Sequence, residues 1–460
     1  MGRTIANRQS EYAVHRVLST IILALVPLTT LTLSAAAQAP ASTAVLFRNV
    51  RVFDGKADAL IDSMNVLVEG NKIAKISKDA IYADGATVID GKGRTLMPGL
   101  IDNHSHIFMS ANTQFDMISP RSKPEDLHAN AAKEAEAMLL RGFTTVRDLG
   151  GPVFDLKKSI DEGKAIGPRI YPSGAMISQT SGHGDSREPN ERSRRFGGVI
   201  SRGEMLGISF IADGRDEVLT ATRENLRGGA TQIKVMAGGG AASAYDPLDV
   251  AQYTLDELKA AVEAADDWGT YVTVHAYTPK AVNRAIEAGV KCIEHGQLLD
   301  EATIKVLAAK GIFLSLQCLD EAPATAPEDV QAKKRSVVAG TDNAFKWAKQ
   351  YGVKLAWGTD FLFNPAQNKN QNADILKLKA WFTPAQALKL VTHDNAQLLA
   401  LCGLRNPYPG TLGVVEVGAL ADLLLVGGDP LADLSLVSQP EAKIVVIMKD
   451  GKIYKDIATK

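Results

Sequence analysis

Two histidines one residue apart close the run Pro98-Gly-Leu-Ile-Asp-Asn-His104-Ser-His106. On a β-strand, residues i and i+2 project to the same face, so both imidazoles can reach one ion. The pair alone is weak evidence, because such spacing also occurs on solvated strands and supplies only part of a coordination shell. Further metal-competent groups stand in other short apolar runs: Lys234 in Gln232-Ile-Lys-Val-Met, His275 closing Tyr271-Val-Thr-Val-His, His295 after Cys292-Ile-Glu, and Asp360 closing Lys354-Leu-Ala-Trp-Gly-Thr-Asp. Taken singly, each has a plain structural reading: a core histidine, a snorkelling lysine, an aspartate helix cap. Taken together, six metal-competent or metal-bridging groups converging on one rim would be an improbable accident, and they predict a metal site.

Other groups are secondary candidates. His183, in Ser181-Gly-His-Gly-Asp185, is the best remaining catalytic and substrate-binding donor, with a solvated loop histidine as the alternative. Tyr245 is either a substrate contact or a packing residue of a loop. Arg147-Asp148 either receives a carboxylate or forms a buried ion pair. His128 and His393 sit in amphipathic stretches and read as structural or exposed. Cys292, Cys318 and Cys402 are few, widely spaced and in apolar contexts, which favours buried small hydrophobes over ligands or disulfides.

The elements that position these groups follow from the pattern between them. Short apolar runs alternate with amphipathic stretches, the mark of repeated βα units and a parallel sheet. Eight candidate strands end near His106, Asp148, Ile177, Met236, His275, His295, Gln317 and Asp360. Two helix starts are legible as well: Thr254 with Glu257 has capping-box spacing, and Thr383-Pro384-Ala-Gln386 offers an N-cap, a first-turn proline and an N3 glutamine. Eight units over 99–400 predict an α/β fold, a (β/α)₈ barrel whose catalytic groups lie at the C-terminal strand ends. No glycine-rich dinucleotide fingerprint follows the first strand, which argues against a doubly wound sheet. Residues 44–98 and 411–458 instead alternate β-branched runs with turn dipeptides. Gly70-Asn71 and Asp450-Gly451 predict tight hairpins, and the two chain ends are expected to pair into one small β-sandwich.

The chain has 460 residues, 45% apolar and 22% charged, which excludes disordered, collagenous and multi-span membrane classes. Residues 1–37 carry Arg3, Arg8 and Arg16, an apolar run from Val17 to Leu33 and the small residues Ala35-Ala36-Ala37. This layout predicts a signal peptide cleaved after Ala37, hence a periplasmic or secreted protein with no stable membrane span. Removing three Arg and one Glu moves the formal charge from −1 to −3, and no basic surface for nucleic acid is implied.

His-x-His after the first strand, Lys after the fourth, His after the fifth and sixth and Asp after the eighth resemble the binuclear amidohydrolase superfamily of carboxylated-lysine type. The flanking Pro-Gly-Leu-Ile-Asp, Glu294-His-Gly, Gly358-Thr-Asp and Asn395-Ala396 belong to the same pattern. Thr145-Val-Arg-Asp-Leu-Gly-Gly151, Ser181-Gly-His-Gly-Asp185 and Gly238-Gly-Gly resemble the branch of prolidase-like Xaa-Pro and Xaa-Xaa dipeptidases and ochratoxin-hydrolysing enzymes. The resemblance implies that Lys234 is N6-carboxylated and bridges two divalent ions, zinc being the expected metal. His104, His106 and Asp360 would complete one ion, His275 and His295 the other. It further implies that a hydroxide held between the ions attacks an amide, with Asp360 shuttling the proton and His183 and Tyr245 contacting substrate. The expected substrate is a dipeptide or N-acyl amino acid, aryl amides such as ochratoxin included, and the expected assembly a homo-oligomer.

Two rival readings are weaker. A mononuclear deaminase or cyclic-amide hydrolase of the same superfamily typically lacks the bridging lysine and carries a glutamate shortly after the fifth-strand histidine; here Lys234 is present and Ala276-Tyr277-Thr278 follows His275. A non-catalytic relative usually loses ligands, and here each is in place.

Overall fold

The structure is a computed structural model that describes residues 44–243 and 245–458. The predicted leader, residues 1–37, lies outside the described residues. The N-terminal part supplies strands β1 (Ala44–Val52), β2 (Ile61–Glu69), β3 (Lys72–Ser77), β4 (Thr87–Asp90) and β5 (Thr95–Pro98). There follow β6 (Leu100–Ser105), β7 (Phe143–Asp148), β8 (Arg169–Pro172), β9 (Met176–Ser178), β10 (Ser209–Ile211), β11 (Ile233–Met236), β12 (Val272–Ala276), β13 (Cys292–His295), β14 (Phe313–Leu316) and β15 (Leu355–Trp357). The chain ends with β16 (Leu423–Val426), β17 (Ile444–Lys449) and β18 (Lys452–Asp456).

Both predicted hairpins form, β2 turning into β3 at Gly70-Asn71 and β17 into β18 at Asp450-Gly451. The two chain ends meet where β16 pairs antiparallel with β5, Leu424 opposite Met97 and Leu425 opposite Leu96. The result is one eight-stranded hydrogen-bonded sheet. One apolar cluster draws on both ends, with Val66, Val68, Leu96, Leu423, Leu425 and Val446 essentially buried. Alternation along these strands supplies that face, so the pairing of distant segments follows from burial alone.

The middle of the chain is parallel. β10, β9, β11, β12, β13, β14 and β15 form one sheet in that order, and β6, β7 and β8 another. Every residue of β11, β12, β13 and β14 is buried, as expected for parallel strands covered by helices. The two predicted helix starts are observed: Thr254 and Thr383 each cap with a reciprocal box, and Pro384 occupies the first turn. Strands β8 and β10 were not among the eight expected. They are four and three residues long, no shorter than β9 and β15, which were expected.

Strands β6 and β15 lie side by side and are joined by side chains. Asp102 accepts from the backbone of Thr359 at 3.1 Å and from its hydroxyl at 2.7 Å. Asn395 donates to the carbonyls of Ile101 (2.7 Å) and Trp357 (2.9 Å) and accepts from Trp357 N (2.9 Å). Asn395 follows directly on a π-helical turn, Leu390–Asp394, of the kind that re-aims a helical side chain. Gly358 permits the approach, since a Cβ there would lie 2.2 Å from His104 N.

Candidate metal centre

Because β6 and β15 are held together, Asp360 N reaches the carbonyl of His104 at 2.8 Å, and the Asp360 carboxylate faces the histidine pair. Its Oδ1 lies 3.4 Å from His104 Nε2 and 3.3 Å from His106 Nε2. The rings continue around the rim. His104 and His295 have centroids 4.9 Å apart, His295 and His275 4.3 Å, and His275 stacks on His183 at 4.0 Å. Ligand atoms of His104, His295 and Asp360 all fall within 4.8 Å of one another. This trio spans the two ligand sets that the family resemblance implies, as a shared centre would.

Two site residues have left-handed backbones, His295 at φ +76° and Asp360 at φ +54°. Strand alternation would send the neighbours Glu294 and His295 to opposite faces; the turn at His295 lets both serve the site. Such conformations cost about 1–3 kcal/mol and persist where the surroundings over-determine them.

Lys234 lies on β11 with 1% of its surface exposed and has no ion-pair partner among the described residues. Burial lowers its ammonium to about 8, against the opposing pull of Glu294 and Asp360. Burial likewise lowers His104 to about 4 and holds His275 and His295 well below the usual imidazole range. Burial pushes the Asp360 carboxyl up, but His104, His106 and His295 outweigh it and hold the group well below the carboxylate range. The buried Nδ1 of His295 has no hydrogen-bond partner among the described residues. A set of neutral imidazoles with free ring nitrogens, one ionised carboxylate and a lysine inclined to neutrality fits divalent cations.

The secondary candidates fall in different places. His183 lies in the loop after β9, its Nδ1 2.9 Å from Ser243 Oγ and 3.1 Å from Asp246 Oδ2, its ring over His275. Tyr245 is half exposed and donates to Glu188 Oε2 at 2.8 Å, beside an outer cavity of about 720 Å³ that Ser181 and Arg192 also line. A second cavity, about 230 Å³, lies between Asp360 and the segment Cys318–Pro323. Arg147 and Asp148 do not pair with each other. Arg147 is fully buried and bonds to Glu294 Oε1 at 2.6 Å, Asn103 O at 2.7 Å and Tyr271 Oη at 3.1 Å, so the ion-pair alternative holds with another partner. Asp148 instead accepts from the backbone of Ile107 at 2.7 Å. The three cysteines are buried and free, as expected. Glu294, Asp102 and Gln317 were missed as site residues, although Glu294 and Asp102 lie within motifs flanking the histidines.

Comparison with known proteins agrees with this geometry. An ochratoxinase from Aspergillus niger is 31% identical over 371 residues, covering 78% of this chain and 75% of that protein. A prolidase structure complexed with N-methylphosphonate-L-proline superposes with a TM-score of 0.82 at 32% identity, covering 90% of this chain and 100% of the other. A Xaa-Pro dipeptidase with methionine bound in its active site gives 0.76 at 29% identity, covering 90% and 100%. Residues 95–455 match the profile of the Amidohydrolase family, and the chain belongs to that family, in the branch of ochratoxinase and the prolidase-like dipeptidases.

Proposed function

We propose that this protein is a binuclear metal-dependent hydrolase that cleaves the amide preceding a free C-terminal amino acid in dipeptides or N-acyl amino acids, ochratoxin-type aryl amides among them. The observation that carries the proposal is the convergence of His104, His106, His275, His295 and Asp360 around a buried lysine that has no carboxylate partner among the described residues. A lysine in that state is a nucleophile toward carbon dioxide, and its carbamate is a two-oxygen anionic ligand able to join two ions. When bound, the ions polarise the substrate carbonyl and lower the proton affinity of water. His104, His106 and Asp360 would hold one, His275 and His295 the other, and carboxylated Lys234 would serve both.

The remaining steps belong to side chains. Asp360 accepts a proton and returns it to the leaving nitrogen. His183 donates to the substrate carbonyl oxygen through Nε2–H; since Asp246 accepts from Nδ1, this assigns the doubly protonated ring, ion-paired with Asp246, to that step. Tyr245 is assigned to the substrate carboxylate. The parallel strands are the wall of a (β/α)₈ barrel spanning 99–400, and the terminal sheet folds over its shared apolar cluster as a β-sandwich. A leader over residues 1–37, a periplasmic or secreted location and a homo-oligomeric state complete the reading. The ligand in the prolidase relative and the methionine in the dipeptidase relative both end in an amino acid, which supports the substrate class.

The test compares an N-acyl-phenylalanine with its C-terminal amide. Capping the carboxylate is expected to cost about 2 kcal/mol in kcat/KM through loss of a charge-assisted contact. Equal turnover of the two, or preference for a cyclic imide, overturns the substrate assignment. Metal analysis separates the rivals: two ions per chain for this reading, one for a deaminase, none for a non-catalytic relative.

A further inference from the structure

The ring of His183 is held from a neighbouring loop. Gly240 approaches it so closely that a Cβ there would lie 1.9 Å from its Nδ1. That nitrogen stands 2.9 Å from Ser243 Oγ and 3.1 Å from Asp246 Oδ2, and the same Asp246 oxygen accepts from Gly240 N at 2.6 Å. Gly240 and Asp246 thus close a turn around one carboxylate oxygen, and where the ring stands is a property of that turn. The turn is fastened in its own right by a distant part of the chain. Lys333, on the helix Glu328–Tyr351, donates from Nζ to Ser243 O at 2.8 Å and to Asp246 O at 3.1 Å. These are the carbonyls of the two residues whose side chains meet the His183 ring. Lys333 is half-buried and has no carboxylate partner among the described residues, so its charge is engaged by the backbone of the turn. One helical turn further on, on the same face, Val337 is fully buried and shares an apolar cluster with Ala241 of the loop.

We propose that Lys333 is a positioning residue that clamps the turn between Gly240 and Asp246 and, through Ser243 and Asp246, sets where the His183 ring stands over the site. A lysine that merely lays its stem along an apolar surface would leave its ammonium in water. Here the ammonium bridges two carbonyls of one turn, and removing it leaves both without a donor from the helix. The clamp belongs to a helix whose own start lies in a different loop, so the two loops move as one body. Its purpose depends on the hydrolase reading, through His183; the clamp itself does not.

Two measurements on Lys333→Met test it, a substitution that keeps an unbranched side chain and the helix propensity while removing the charge. In the parent background, kcat for an N-acyl-phenylalanine is expected to fall about tenfold or more, the scale on which small misplacements of a reacting group act. In a His183→Asn background the same substitution is expected to cost less than about twofold, because the clamp acts through a ring that is no longer there. A lysine with a merely structural role lowers both backgrounds alike, so equal losses overturn the proposal. A parent-background kcat within about twofold of the unsubstituted enzyme does the same. The second measurement needs no turnover. Hydrogen exchange at the Gly240 amide, followed by mass spectrometry in peptides covering 238–247, is expected to run about tenfold faster or more in Lys333→Met, with the melting temperature read alongside. An unchanged exchange rate overturns the clamp. A parent protein that hydrolyses no amide would sink the hydrolase reading and leave the exchange measurement to decide the clamp in its own right.

Discussion

The terminal sheet and the rim of the metal centre are held together in opposite ways. In the sheet, backbone ladders supply the direction and an interchangeable set of buried valines, leucines and isoleucines supplies the adhesion. At the rim, few atoms do the joining, each through specific polar partners: Asp102 to Thr359, Asn395 to Ile101 and Trp357, Arg147 to Glu294. Adhesion by area tolerates substitution in small increments, whereas a buried polar bond lost leaves its partner without a donor or acceptor. The first arrangement therefore degrades gradually and the second abruptly.

The comparison is sharpest at Lys234. Lys234→Ala and Lys234→Arg are each expected to remove most activity and to lower bound metal, because no other anion links the two ions; full activity in Lys234→Arg breaks the binuclear reading. Asp360→Asn keeps the shape and one ligand oxygen but cannot cycle a proton, so kcat should drop about 10²-fold with KM little changed. Activity within threefold of the parent removes Asp360 from the mechanism. Asn395→Ala, which touches no ligand, should lower stability by about 3 kcal/mol in denaturant titration, one increment for each of three buried hydrogen bonds. A loss below about 1 kcal/mol would show that the ladders, and not this side chain, hold β6 to β15. Smallest is Ile73→Val in the sheet, expected to cost about 1 kcal/mol with kcat and KM unchanged. A change in kcat there would erase the separation between the two regions.

The same division decides what was legible in the sequence. The hairpins, the capped helices and most of the parallel strands carry local patterns of period two or 3.6, and they stand where those patterns put them. The candidate ligands drew notice because strand ends fall at one rim of a parallel fold and their types are chemically uncommon there, and the structure brings His104, His106, His275, His295 and Asp360 together. The partner of Arg147 was not, since Arg147 and Glu294 are 147 residues apart and no spacing relates them. Nor were the left-handed backbones of His295 and Asp360, which local preference opposes and tertiary contacts impose. Strands β8 and β10 were not read, although the equally short β9 and β15 were. Tyr245, read as a substrate contact or a packing residue, stands half exposed with its hydroxyl on Glu188.

The joining of β6 to β15 bears on how the protein is made. The bonds from Asp102 to Thr359 and from Ile101 to Asn395 close loops of 257 and 294 residues. Contacts so distant in the chain form late, because the entropy of closing the loop must be met before they contribute. A nascent chain that has emerged as far as Trp357 already contains His104, His106, Lys234, His275 and His295, but neither the aspartate that draws them together nor the asparagine that fastens the wall. Such a chain lacks one of the proposed ligands and the side chain that joins β6 to β15. On the proposed reading, catalytic competence waits for Asp360 and Asn395 rather than accruing as each ligand is added.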